Sequence, residues 1–209
     1  MSDLLPTVAI LGGTGDLGTG LARRWTQAGY RVIIGSRTQE KAQDAVDALY
    51  GLMQERGIAD AAAEAMDNHA AASAADIVAM TVPFAHHTST LESVKDVLEG
   101  KILIDVTVPL VPPKVARVQL PEHGSAGQIA QKIVGENVQV VSAFQNVAAV
   151  HLQAGSDLTC DVIVCGNKKA AREEVIKLVQ AAGMKGYHGG SIANAAAVEA
   201  LTSVLIFIN

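Results

Sequence analysis

Val8-Ala9-Ile10-Leu11-Gly12-Gly13-Thr14-Gly15-Asp16-Leu17-Gly18 begins as a short apolar run, breaks into glycines, and continues as an amphipathic stretch to about residue 28. An apolar run of this length bounded by glycine reads as a buried strand, and the stretch after it reads as a helix. The spacing Gly13-x-Gly15-x-x-Gly18 at such a junction assigns each glycine a task. Gly13 makes the tight turn, Gly15 lets a pyrophosphate approach the backbone, and Gly18 lets the helix pack closely on the strand. The unpaired amides of the helix N-terminus then face the phosphates. The motif therefore points to dinucleotide binding.

Beyond this junction, Val- and Ile-rich runs alternate with helical stretches along the whole chain, the pattern of a parallel sheet covered on both faces. Strands are expected near residues 7–11, 31–35, 76–82, 102–106, 138–142, 161–165 and 184–188, and helices near 16–28, 38–56, 86–98, 125–135, 168–182 and 191–208. The alanine-rich stretch 59–75 reads as a short helix with loops. Thr107-Val108-Pro109-Leu110-Val111-Pro112-Pro113 is a loop leaving a strand end, because its prolines remove backbone donors and fix φ. The expected fold class is α/β, a Rossmann-type doubly wound, mostly parallel sheet with a small C-terminal α/β extension. Residues 1–143 form the expected nucleotide-binding domain. Residues 144–209 form a small substrate and dimerisation part packed on it, since no Gly/Ser linker separates the two.

Which dinucleotide binds is decided at the end of the second strand, Arg31-Val32-Ile33-Ile34-Gly35. An NAD site places Asp or Glu there, about 20 residues beyond the glycines, for the ribose hydroxyls. This chain has Ser36 and Arg37, with Lys41 shortly after. If Thr38 caps the next helix, Lys41 falls in its first turn, where a cation opposes the macrodipole unless an anion binds there. The expected ligand is NADP(H), held by its 2′-phosphate.

Composition narrows the remaining classes. With 209 residues, 49% hydrophobic and 18% charged, the chain reads as a compact globule. Its net charge of −5 and its three Phe, three Tyr and one Trp exclude nucleic acid as the expected partner. MSDLLPTVAILGGTG lacks a basic region followed by a long apolar stretch, and the apolar run Val204–Ile208 is too short to cross a bilayer. No membrane association and a cytoplasmic location are expected. Cys160 and Cys165 stand an odd number of residues apart around a strand, which sends their side chains to opposite faces and argues against a pair.

Catalytic candidates are few. Tyr30, Tyr50 and Tyr187 each lack a lysine four residues on, and no His-x-x-x-His, Cys-x-x-Cys or Gly-x-Ser-x-Gly is present, so no metal site is expected. The expected crevice lies at three strand ends: Thr81-Val82-Pro83-Phe84-Ala85-His86-His87, Thr107-Val108-Pro109, and Ser142-Ala143-Phe144-Gln145-Asn146. From these, His86 and Gln145 are the candidates for contact with substrate. His69, His123, His151 and His188 read as surface residues. Asn194 and Glu199 on the last helix read equally as a core-facing polar pair, a subunit contact or catalytic groups. The shortage of acid–base groups suits hydride transfer between two bound rings, which needs apposition more than proton transfer.

Taken in order, several segments resemble the reduced coenzyme F420:NADP oxidoreductases over nearly the whole chain. They are Gly12–Gly18, Gly35-Ser36-Arg37 with Lys41, Thr81–His86, Val141–Phe144, Cys160–Gly166 and Asn194–Thr202. The resemblance implies reversible hydride transfer between NADP(H) and the 5-deazaflavin F420, without metal or bound flavin. It implies that Thr14, Ser36, Arg37 and Lys41 hold NADP, and that the chain forms a homodimer through its C-terminal part. The expected cofactor contacts are Gly13, Thr14, Gly15, Asp16, Leu17, Ser36, Arg37, Lys41, Thr81, Val82, Pro83 and Ala143. Archaeal members place a histidine where this chain has Gln145. That position leaves open a reductase of a flavin or another acceptor; from a different class, a non-catalytic NADP(H)-sensing module is the other alternative.

Overall fold

A computed structural model describes residues 5–58, 61–154 and 158–209. In chain order its elements are β1 (Val8–Leu11), α1 (Asp16–Gln27), β2 (Val32–Ser36), α2 (Gln39–Glu55), β3 (Ala63–Asp67), α3 (Asn68–Ala74), β4 (Ile77–Met80) and α4 (Phe84–Glu92). They continue as β5 (Ile102–Asp105), α5 (Ala126–Val134), β6 (Gln139–Ser142), α6 (Ala149–Ala154), β7 (Asp161–Gly166), α7 (Lys169–Ala181), β8 (Lys185–Gly190) and α8 (Ala195–Ile208). The strands form one eight-stranded sheet in the order β3-β2-β1-β4-β5-β6-β7-β8, parallel except where β7 runs antiparallel to β6. The doubly wound, mostly parallel expectation holds.

Alternation along the strands divides the core into two layers. Val8, Ile10, Val32 and Ile34 pack with Leu21 and Trp25 of α1, Met53 of α2 and Leu178 of α7 on one face. Ala9, Leu11, Ile33 and Val78 pack with Ala71 of α3, Leu91 of α4, Ala130 of α5 and Val198 of α8 on the other. Because β1, β2 and β4 are buried at every residue, they read as unbroken apolar runs and were legible from sequence. Cys160 packs against the first layer and Cys165 lies in the second, both free thiols, as their odd spacing requires.

The alanine-rich stretch departs from expectation. Residues 59 and 60 lie outside the described residues, but Ala63-Glu64-Ala65-Met66-Asp67 is an edge strand, registered against β2 from Val32↔Ala63 to Ser36↔Asp67. Alanine, glutamate and methionine are helix formers, so local preference pointed the other way. Pairing with the exposed edge of β2 overrides it. α3 follows at once, with the Asp67 side chain accepting from the Ala70 amide at 2.9 Å as its N-cap. The short helix α6 was also missed, and the expected helix 86–98 is α4 followed by a 3₁₀ turn at Lys95–Val97.

Candidate active site

The site forms where the strand order reverses. The chain winds from β1 outward to β3, then returns to the other side of β1 as β4, so the loops after β1 and β4 part and leave a crevice. A cavity of about 960 Å³ occupies it.

At one end lies the glycine loop. The left-handed residue is Gly12 (φ +67°), not Gly13, and a Cβ at Gly12 would strike Val82 Cγ1 at 2.5 Å. The tight-turn role expected of Gly13 thus belongs to its neighbour. Gly13 is buried and off the cavity wall, its amide donating to the Gly35 carbonyl at 3.0 Å. Gly18 abuts the Gly13 backbone as expected, since an added Cβ would meet Gly13 Cα at 2.7 Å. Gly15 faces open space, with only the Gly12 carbonyl within 4 Å of a Cβ, at 3.7 Å. No side chain caps the N-terminus of α1, which leaves its first amides for an anion. Thr14, Gly15, Asp16 and Leu17 line the cavity here. Asn68 does too, and its Oδ1 accepts from the Gly12 amide at 3.3 Å. Sequence reading missed Asn68, because it enters the site only through the unrecognised β3–α3 turn.

Ser36, Arg37 and Lys41 close the same end. Ser36 is buried at the end of β2, whereas Arg37 and Lys41 are exposed. Among the described residues, neither cation has a side-chain partner. Thr38 occupies the N-cap position of α2 without a side-chain bond, so Lys41 stands in the first turn of an uncapped helix. That placement costs a few tenths of a kcal/mol unless an anion is bound between cation and helix end.

The far end is mainly apolar. Thr81, Val82, Pro83 and His86 line it from the β4 side, and Val106, Thr107 and Val108 from the β5 side. Thr81 ties this wall to the glycine strand, with its amide and Oγ1 both donating to the Leu11 carbonyl at 2.9 and 3.0 Å. His86 is exposed at the rim, on the first turn of α4.

Ala143 and Gln145 are not among the lining residues. Phe144 has φ +71°, a left-handed backbone that costs a non-glycine residue about 1–2 kcal/mol. Its ring is buried edge-on to Trp25 with centroids 6.0 Å apart, and the turn carries Gln145 inward. There Gln145 Nε2 donates to the Asp105 carbonyl at 2.9 Å and to Ser142 Oγ at 2.8 Å. The Ala143 amide donates to the same carbonyl at 3.2 Å. Both residues brace the crevice from behind, instead of forming its wall as expected.

Three ionisable groups are buried here: His87 from the expected crevice segment, Asp105, which the sequence does not single out, and Glu199. His87 Nε2 lies 2.7 Å from Asp105 Oδ2, with both side chains 1% exposed. Glu199, on α8, accepts from the Ala126 and Gly127 amides at 2.7 and 3.1 Å, which makes it the core-facing group of the earlier alternatives. Burial pushes its carboxyl up to about 8, against the pull of those two amides and helped by the nearby Asp105 charge. Asn194 is exposed, with its Nδ2 donating to the Gly189 carbonyl. Among the described residues, no group of three or more His, Cys, Asp or Glu is placed to hold a metal ion.

The family model for coenzyme F420-dependent NADP oxidoreductases matches residues 7–109. An F420-dependent NADP reductase from Methanocaldococcus jannaschii is 38% identical, the alignment covering 97% of this chain and 92% of that protein. One from Methanothermobacter thermautotrophicus is 35% identical, over 97% of this chain and 88% of that protein. Among solved structures, a protein of Arthrobacter sp. FB24 described as a candidate F420-dependent NADP reductase superposes with a TM-score of 0.78 at 25% identity, covering 97% of this chain and 93% of that one.

Proposed function

This chain belongs to the coenzyme F420-dependent NADP oxidoreductases, and from that membership we propose how its own residues carry a hydride between NADP(H) and coenzyme F420. The observation that carries the proposal is one cavity with two chemically different ends: uncapped amides and two cations without side-chain partners among the described residues at one, apolar strand ends at the other.

The residues fit the dinucleotide. The open side of Gly15 admits a pyrophosphate against the α1 amides, with Thr14 beside it. Arg37 and Lys41, with Ser36, hold the 2′-phosphate, whose charge offsets the unfavourable placement of Lys41 in the first turn of α2. Thr81, Val82, Pro83, Thr107 and Val108 seat the reacting rings and exclude water. His86 touches the acceptor at the rim, and Ala143 and Gln145 hold the wall from behind. Bound together, the dinucleotide would supply a hydride and the deazaflavin would accept it, with the accompanying proton taken from water. This chain's contribution is apposition in a dry slot, with no acid or base required at the hydride itself.

The assay mixes NADPH with oxidised F420, FMN or FAD and follows nicotinamide absorbance. Turnover is expected with F420; turnover with free flavins alone would remove the assignment, and inactivity with all three would favour a sensing role. In the same assay His86→Ala is expected to raise the KM for F420 about tenfold while NADPH affinity stays within about threefold. An unchanged KM would take His86 out of the acceptor site.

Nucleotide binding is assigned to residues 1–143, and acceptor-side support with subunit contact to 144–209. The contact face is the outer stripe of α8. Ala197, Leu201, Val204 and Ile208 follow helical spacing on its exposed side, beside Phe207, which is 79% exposed. An apolar stripe of this kind is covered most simply by its two-fold copy. Light scattering at micromolar concentration is expected to give about twice the 21.7 kDa chain mass. A monomer, or a dimer unaffected by Leu201→Glu with Phe207→Glu, would dismiss this face. Two free thiols fit a reducing compartment, and we place the enzyme in the cytoplasm. Among the described residues, no helix is long and apolar enough to cross a membrane.

A further inference from the structure

The buried His87–Asp105 pair lies directly behind the reacting end of the cavity, although neither residue touches the cavity itself. His87 is on α4, whose neighbouring residues Phe84, His86, Ser89 and Thr90 form one wall. Asp105 ends β5, and the next residues, Val106, Thr107 and Val108, form the facing wall. At 2.7 Å, His87 Nε2–H donates to Asp105 Oδ2. The other oxygen, Oδ1, accepts from the Thr107 amide at 2.9 Å and shapes the turn by which the chain leaves β5. The carbonyl of the same residue accepts from Gln145 and Ala143. Asp105 thereby joins α4, the β5 exit and the β6 exit at one point.

Stability alone is a poor reason for this pair. A buried polar pair, ionic or neutral, contributes little over well-packed apolar residues of similar volume. Here His87 Nδ1 is left without a partner among the described residues, a further cost that a leucine would avoid. What an apolar pair could not supply is a directional tie of fixed length between two walls that must hold two rings in contact. A displacement of about 1 Å in such a site costs roughly a hundredfold in rate.

We propose that His87 and Asp105 are positioning residues for hydride transfer, setting the separation of the α4 and β5 walls through one buried hydrogen bond. The inference rests on the F420:NADP assignment. The tie acts on the chemical step and leaves NADP binding to the glycine loop, Arg37 and Lys41 largely untouched.

The test compares His87→Gln, Asp105→Asn and the double variant His87→Leu with Asp105→Asn, the last of which leaves no unpaired buried charge. Single-turnover hydride transfer from NADPH to F420 is measured beside wild type, with the thermal midpoint and the Kd for NADPH. The double variant and Asp105→Asn are expected to transfer hydride about tenfold to a hundredfold more slowly, with NADPH Kd within about threefold. His87→Gln presents an amide donor near the position of Nε2 and is expected to recover most of the rate. A double variant that folds and transfers hydride at the wild-type rate overturns the proposal; if it does not fold, Asp105→Asn at the wild-type rate does so. Wild type inactive with F420 would instead overturn the functional assignment.

Discussion

Replacing Arg37 and Lys41 together with alanine is expected to raise the Kd for NADP(H) by about two to four orders of magnitude and to leave that for NAD(H) within about threefold. Each charge-assisted bond to a phosphate contributes about 1.5–3 kcal/mol, and tenfold in affinity is about 1.4 kcal/mol. The two cations are exposed and without side-chain partners among the described residues, so removing them breaks nothing within the chain. The loss should therefore appear almost wholly in binding. It should also appear only for the cofactor that carries the 2′-phosphate, because Ser36 and Arg37 stand where an NAD site has its acidic residue. Wild type is expected to prefer NADP(H) at least tenfold. Calorimetric titration of both cofactors into both proteins measures this; equal wild-type affinities, or an unchanged preference in the variant, would count against the phosphate site.

The second large effect is on stability, at Glu199. Its carboxyl satisfies two amides at the start of α5 from a position on α8 that is 1% exposed. Glu199→Ala leaves both donors buried without acceptors, at a cost of about 2–4 kcal/mol. The pH dependence has a definite sign. With its folded-state pKa raised to about 8 from an ordinary 4.5, the group binds a proton more readily in the native than in the unfolded chain. Its contribution is complete below about pH 4.5 and is lost as pH rises through 8, with a slope of up to about 1.4 kcal/mol per pH unit. Glu199→Gln, which cannot ionise, should flatten urea-unfolding stability between pH 5 and 8 relative to wild type. Identical pH profiles would mean that the carboxylate is already charged in the native state, held by the helix N-terminus.

These two sites differ in how much of them could be seen without coordinates. Arg37 and Lys41 could be singled out because the proposed cofactor site is built from neighbours in sequence: a strand, its exit loop and the first turn of the following helix. Periodicity located each piece, and the missing acid at position 36 or 37 was chemistry visible in the letters. Glu199 could be narrowed only to three readings. Its partners are the amides of Ala126 and Gly127, far away in the chain, and backbone donors carry no residue signature.

The same distinction runs through the whole molecule. Local order, namely the glycine junction, the alternation of strand and helix, and the opposite faces of Cys160 and Cys165, follows from side-chain period and turn chemistry, which act over a few residues. Adjacent histidines show where that information stops. A helix turns about 100° per residue, so His86 faces the rim while His87 faces the core. Which of them met solvent depended on where α4 lay, and Asp105 became the partner of His87 through the sheet register that sets β5 beside β4. β3 became a strand against its own composition because the edge of β2 offered it hydrogen bonds, and Asn68 reached the site with it. Gln145 left the cavity wall because packing of the Phe144 ring on Trp25 holds the backbone at φ +71°. In each of these cases the deciding energy is a contact between segments distant in the chain, and such contacts exist only once the sheet has assembled.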